Sequence, residues 1–210
     1  MKRSTRRKDI YMCVKNEWTR RDGPHGYCIA DIPVKEVRQH SSHHEEMNKL
    51  MSSSYKYLAM AAFYKRADVA LPGFVKLMTD LFEIDMNFAR DLITYVTKRG
   101  DSLNLLPIYR PSAYEDLLVF LAGRTGLPGL EEALNDTKSL HTYTLKVIES
   151  ARGADDKSDP HRKHVLEDGV LNHKVNTTKK LADLLHRLET FKSDEDYYIG
   201  EYHVDLELRN

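Results

Sequence analysis

No stretch of this sequence approaches the roughly 18 consecutive apolar residues that a membrane-spanning helix needs, so no membrane association is expected. Charge of one sign is not in excess either: Lys+Arg and Asp+Glu number 32 each, for a formal net charge of zero. Nucleic-acid binding leans on a basic field, and none is available here. Cysteine is scarce, with only Cys13 and Cys28, both ahead of the first strong helical pattern. The sequence leaves open whether they pair with each other, pair with another chain or stay reduced. Their place outside the expected core favours a staple over a buried thiol. The amino terminus, Met1-Lys-Arg-Ser-Thr-Arg-Arg, carries no apolar run after its basic residues, so no intact signal peptide is read there. Strand patterns are almost absent, and so is any Glu-x-x-His pair of the kind that builds metal centres inside helix bundles.

What the 210 residues do supply is enough chain to bury a core. It reads as one domain, residues 37–210, behind an amino-terminal extension, residues 1–36, that holds both cysteines. Four long amphipathic stretches dominate it. The first is expected from Val37 to Arg66, with Met47, Leu50, Met51, Ser54, Leu58 and Ala61 on one face. Pro72 suits the first turn of the second, where its missing N–H costs nothing, and Gly100 suits its end. Leu77, Leu81, Phe88 and Leu92 lie along that helix. A long connection follows, roughly Asp101 to Pro128, with room for a short helix at Tyr114–Leu121. Such a crossover lets two successive helices of a bundle run parallel. The third helix is expected over Leu130–Ala154, with Leu134, Leu140, Leu145 and Ile148 as its ridge. The fourth runs from Pro160 to about Phe191 on Leu171, Val175, Leu181, Leu185 and Leu188, and Tyr197–Leu208 suits a short fifth. The fold class is all-α.

Tyr55-Lys-Tyr-Leu-Ala-Met60 followed by Asp68-Val-Ala-Leu-Pro-Gly-Phe74 resembles the passage between the first two helices of ferritins. Thr97-Lys-Arg-Gly100, Asp159-Pro-His161 and Leu171-Asn-His-Lys-Val175 resemble the end of their second helix and the start and middle of their fourth. Together these cover Val37 to Leu208. The extension with Cys13 and Cys28 is similar to that of secreted insect and other arthropod ferritins, and Thr97–Gly100 leans toward their light-chain type. The resemblance implies a ferritin-like four-helix bundle with a long crossover between the second and third helices and a short fifth helix. It also implies a shell storing ferric iron, built with heavy-chain-like ferritin subunits and further copies of this chain. Disulfides tying the extensions together follow from it, as does a secreted or secretory-lumen location, with the cytoplasm as the alternative.

Carried over residue by residue, the resemblance also says what has become of the ferroxidase site. Two irons, as hard cations, need several carboxylates and a histidine converging in the bundle. The ligand positions fall on Leu50, Ile84, Asp85, Phe88, Thr137 and Lys174, with Tyr57 at the site tyrosine. Only Asp85 and Tyr57 keep useful chemistry, and a Lys174 ammonium aimed at the same volume suits a salt bridge to Asp85. The ordinary reading of Tyr57 is core packing with a satisfied hydroxyl. No catalytic residue is expected.

Asp80 and Glu83 stand where light-chain-like subunits present acids for mineral nucleation, but Asn87 and Arg90 follow them, and solvated helix surface is the alternative. The threefold-pore positions fall on His164 and Glu167, beside Lys163, which makes a mixed lining a poor cation funnel. His40, His43 and His44 read as a solvated helix start, although His40 and His44 share a face. The sequons at Asn135 and Asn176 lie inside expected helices and read as chance. The expectation is a non-catalytic iron-storage subunit. Two alternatives stand beside it: a ferritin-fold scaffold that has lost iron handling, and a ferroxidase with a displaced site.

Overall fold

The computed structural model describes residues 40–98, 103, 105–108, 126–151, 160–191 and 194–209. Among them, five helices carry the fold: α1 (His40–Tyr64), α2 (Pro72–Lys98), α3 (Gly126–Ala151), α4 and α5 (Asp194–Arg209). The fourth, α4, is continuous but changes character along its length: Pro160–His164 is α-helical, Val165–Leu171 is π-helical and Asn172–Glu189 is α-helical again. None is long and apolar enough to cross a membrane. Cys13, Cys28, the 36/37 boundary, Gly100, Tyr114–Leu121 and the side chains of His40 and His43 lie outside the described residues.

Side-chain contacts fix the directions of the helices. Along α1, Glu46 meets Thr144 while Tyr57 meets Ala133 and Thr137, so α1 and α3 are antiparallel. Along α2, Asp85 meets Lys174 while Tyr95 stacks on His161, so α2 and α4 are antiparallel too. The short turn at residues 65–71 makes α1 and α2 antiparallel. It follows that α2 and α3 run parallel, and their N-termini share one end of the bundle. Lys98 at the end of α2 and Gly126 at the start of α3 therefore stand at opposite ends of the bundle.

The core is divided in two. Tyr57, Met60, Phe74, Met78, Leu130 and Leu181 belong to one apolar block, at the end where α2 and α3 begin. Met47, Leu50, Ala89, Leu92, Leu140 and Val170 belong to the other. Each of the four long helices changes from one block to the other across a buried polar residue: Ser54, Asp85, Thr137 and Lys174.

Three apolar side chains expected inside are exposed instead: Leu58, Leu145 and Val175. Leu58 and Leu145 each follow a buried residue, Tyr57 and Thr144, and one residue along a helix turns about 100° away. Val175 follows the π-helical stretch, where Asn172 N–H donates to the Glu167 carbonyl five residues back. The wider turn sets buried positions at Leu166, Val170 and Lys174, so Lys174 faces inward and Val175 outward. Helix α3 starts at Gly126, ahead of the expected Leu130, because α5 satisfies its first N–H groups: Glu201 Oε1 accepts from Gly126 and Tyr197 OH accepts from Leu127. Gly129 lets α3 pass close to α1, since a Cβ there would run into the buried Tyr64 ring. Gly129→Ala should therefore destabilise the fold by about 1–3 kcal/mol, the usual cost of overpacking. Chemical denaturation checks this.

Candidate functional site

Between the two apolar blocks lies a polar layer in which ionisable groups on facing helices are enclosed in the bundle interior. Its centre is the Lys174 ammonium donating to Asp85 Oδ1, with both side chains 1% exposed. Burial pushes the Asp85 carboxyl up, and the Lys174 charge and hydrogen bond pull it back only in part. Ser53 lies beside Asp85 and favours its charge, and Asp85 Oδ2 is buried without a hydrogen-bond partner among the described residues. An unmatched carboxylate oxygen of this kind costs free energy, and a cation nearby limits that cost.

On the α1–α3 side, the Tyr57 hydroxyl lies 3.3 Å from Thr137 Oγ1 and 3.5 Å from the Ala133 carbonyl. Thr137 Oγ1 itself donates to that carbonyl at 2.8 Å, so its hydroxyl proton is committed to its own helix. Burial raises the Tyr57 pKa strongly, and the charges of Asp85 and Asp136 raise it further, which keeps the phenol neutral. Leu50 packs at 0% exposure in the second apolar block, and Phe88 lies one turn along α2 with its ring against His173, 5.6 Å between centroids. Tyr57, Asp85, Thr137 and Lys174 thus meet in one layer, while Leu50 and Phe88 wall it with hydrocarbon. Half-buried Ile84 is turned away from that layer's centre by one residue's rotation from Asp85.

A second charge cluster was not legible in the sequence. Lys56 donates to Glu132 at 2.6 Å and to Asp136 at 2.7 Å, joining α1 to α3 beside Tyr57. Burial works against the Lys56 charge, but the two carboxylates outweigh it and raise its pKa. The four-residue spacing of Glu132 and Asp136 marks one face of a helix, yet only the bundle identifies Lys56 as their partner. Glu46, fully buried and accepting from Thr144, was likewise missed.

The remaining candidates lie apart from the layer. Asp80 and Glu83 are exposed on α2, and Asp80 lines a cleft that also holds Lys76, Lys180 and Arg187. Further along, Arg90 donates to Asn87 at 3.0 Å. His164 pairs with Asp168 at 2.8 Å, and Glu167 lies 3.7 Å from Lys163, so each acid near the start of α4 has a basic neighbour. Asn135 and Asn176 are exposed on helices, and Thr137 of the first sequon is buried. Among the described residues, no three His, Cys, Asp or Glu side chains converge as a metal-binding group.

The ferritin family model, a ferritin-like domain, matches residues 44–191. The chain belongs to the ferritin family. It is 32% identical over 178 residues to the ferritin light chain, oocyte isoform, of Xenopus laevis, covering 81% of this chain and 93% of that protein. It is 34% identical over 143 residues to the ferritin lower subunit of Aquarana catesbeiana, covering 68% of this chain and 77% of the relative. The yolk ferritin of Lymnaea stagnalis is 27% identical over 195 residues, covering 76% of this chain and 81% of the relative.

Two outcomes follow from the layer. Lys174→Met should cost about 3–5 kcal/mol, because Asp85 is left buried without its cation, whereas Asp85→Leu with Lys174→Met should recover most of it. A double-mutant cycle by denaturant unfolding reads both. His173 is held below its ordinary pKa of 6.5 by burial first and by the Lys174 charge second. The folded chain then binds fewer protons than the unfolded one between that lowered value and 6.5, so this group's contribution to stability falls as pH drops through that window. An NMR titration of His173 should show a midpoint below 6.5.

Proposed function

We propose that this chain is a light-chain-like, non-ferroxidase subunit of an iron-storage shell, co-assembled with ferroxidase-active ferritin subunits. The observation that carries this is the Lys174 ammonium bonded to Asp85 inside the layer where the family resemblance puts ferroxidase ligands. A pair of ferrous ions needs several negative oxygen donors to offset its charge. Here one carboxylate is already neutralised by an internal cation, and its neighbours are a neutral phenol, a threonine hydroxyl and hydrocarbon. These residues do not fit a di-iron centre. Similarity to relatives named light chain and lower subunit supports the same reading.

Assembly is supported by apolar side chains left on the outside. Tyr55 and Leu58 of α1, Leu105 and Ile108 of the crossover, and Tyr198, Ile199 and Tyr202 of α5 are all exposed. Grouped exposed hydrophobics of this kind suit surfaces covered by other subunits. Iron is the stored cargo of the shell, held as ferric mineral. Nucleation by Asp80 and Glu83 is a lesser role, because Lys76, Lys180 and Arg187 share the Asp80 cleft. Cys13 and Cys28 would tie extensions together in a secretory lumen, which a particle from the native source tests by comparing reducing and non-reducing gels.

With the purified chain, ferrous iron should be oxidised no faster than in buffer alone. Stopped-flow absorbance measures the rate, and rapid saturable oxidation would sink the proposal.

A further inference from the structure

Two aspartates near Tyr57 each give one oxygen to a lysine. Asp85 Oδ1 accepts from Lys174, and Asp136 Oδ1 accepts from Lys56 at 2.7 Å. The second oxygen of each, Oδ2, is buried and has no hydrogen-bond partner among the described residues. Ser53 Oγ is buried and unpartnered in the same way. Native proteins leave few such atoms inside, and where they do, a bound molecule commonly meets them.

Ser53 differs from the other buried hydroxyls described. Ser54 and Thr137 donate to the carbonyls four residues back at 2.8 Å, Thr144 meets both Leu140 and Glu46, and Thr177 pairs with His173. A helical serine has such a bond to its own backbone within reach, and Ser53 does not make it. It lies one turn before Tyr57 on α1, so the two share a face. Asp136 precedes Thr137, whose Oγ1 is 3.3 Å from the Tyr57 hydroxyl, and its partner Lys56 precedes Tyr57. Ser53 pulls the Tyr57 and Asp85 pKa values down, while the charges of Asp85 and Asp136 push that of Tyr57 up. The three unmatched oxygens therefore surround one phenol, and come from α1, α2 and α3.

What meets them follows from donors and charge. The two carboxylate oxygens only accept, and the Ser53 hydroxyl has one proton to give. The ligand must bring hydrogens of its own. It need not bring charge, because Lys174 and Lys56 already stand against Asp85 and Asp136, with Glu132 sharing Lys56 at a partly exposed position. A metal ion donates no hydrogen bond and would add positive charge beside two ammonium groups. Water is neutral and donates twice, and a buried water commonly makes about three hydrogen bonds.

We infer that the layer binds an internal water, held by Ser53 Oγ and Asp85 Oδ2 and turned toward Asp136 Oδ2. This water joins the sealed Asp85–Lys174 pair to the Lys56 cluster, whose side chains reach the surface. Its presence does not depend on iron, so losing it would leave the storage role untouched.

Crystals of the full-length assembled protein, stripped of metal with a chelator, test this by X-ray diffraction at a resolution that shows ordered solvent. A water-sized peak should lie about 2.5–3.0 Å from both Ser53 Oγ and Asp85 Oδ2. Soaking in rubidium, whose anomalous signal marks a bound monovalent cation, should leave that peak without one. In Ser53→Ala the peak should vacate its place beside residue 53 while Lys174 stays on Asp85. No wild-type density there, with Ser53 Oγ turned directly onto Asp85 or onto its own helix, would overturn the water site. So would an anomalous rubidium peak, which means a cation, or a peak that Ser53→Ala leaves unmoved.

Discussion

A single buried ion pair organises this bundle. Asp85 and Lys174 face each other from antiparallel helices at 1% exposure, and neither charge is tolerable there without the other. Everything within reach is arranged around that condition. Tyr57 is kept neutral, Thr137 turns its proton to its own backbone, and apolar blocks close off water on both sides. A pair of this kind adds little net stability over a well-packed hydrocarbon layer. It fixes register instead: sliding α4 by one turn against α2 would strand two charges in hydrocarbon.

The π-helical stretch in α4 makes the pair geometrically available. By widening the turn over Val165–Leu171, it brings Lys174 onto the inner face and sends Val175 to solvent. The same parallel placement of α2 and α3 that demands the long crossover also puts two positive helix starts side by side. Asp205 and Glu201 of α5 answer that concentration of N–H groups. Charge inside this protein is thus matched in two ways: side chain to side chain within the bundle, and side chain to helix terminus at its end.

Much of this was legible in the sequence, for a physical reason. Apolar periodicity identifies long helices well, and Pro72 marks the start of α2 because its missing N–H has only one cheap place to be. The meeting of Tyr57, Asp85, Thr137 and Lys174 was legible through family resemblance, since charge spacing alone does not say which helices face each other. The rest depends on contacts far apart in sequence. Lys56 finds Glu132 and Asp136 across the bundle, and α3 begins at Gly126 because of residues on α5. Leu58, Leu145 and Val175 look like core residues by type, yet lie one step around the helix from the buried face.

The central claim is that an internal ammonium occupies the volume that a metal centre would need. Anomalous diffraction from crystals of the assembled protein soaked in ferrous iron, collected at the iron edge, addresses it most directly. The account predicts no anomalous peak in the layer bounded by Tyr57, Asp85, Thr137 and Lys174. An ordered iron bound to Asp85, with the Lys174 side chain displaced, would contradict it.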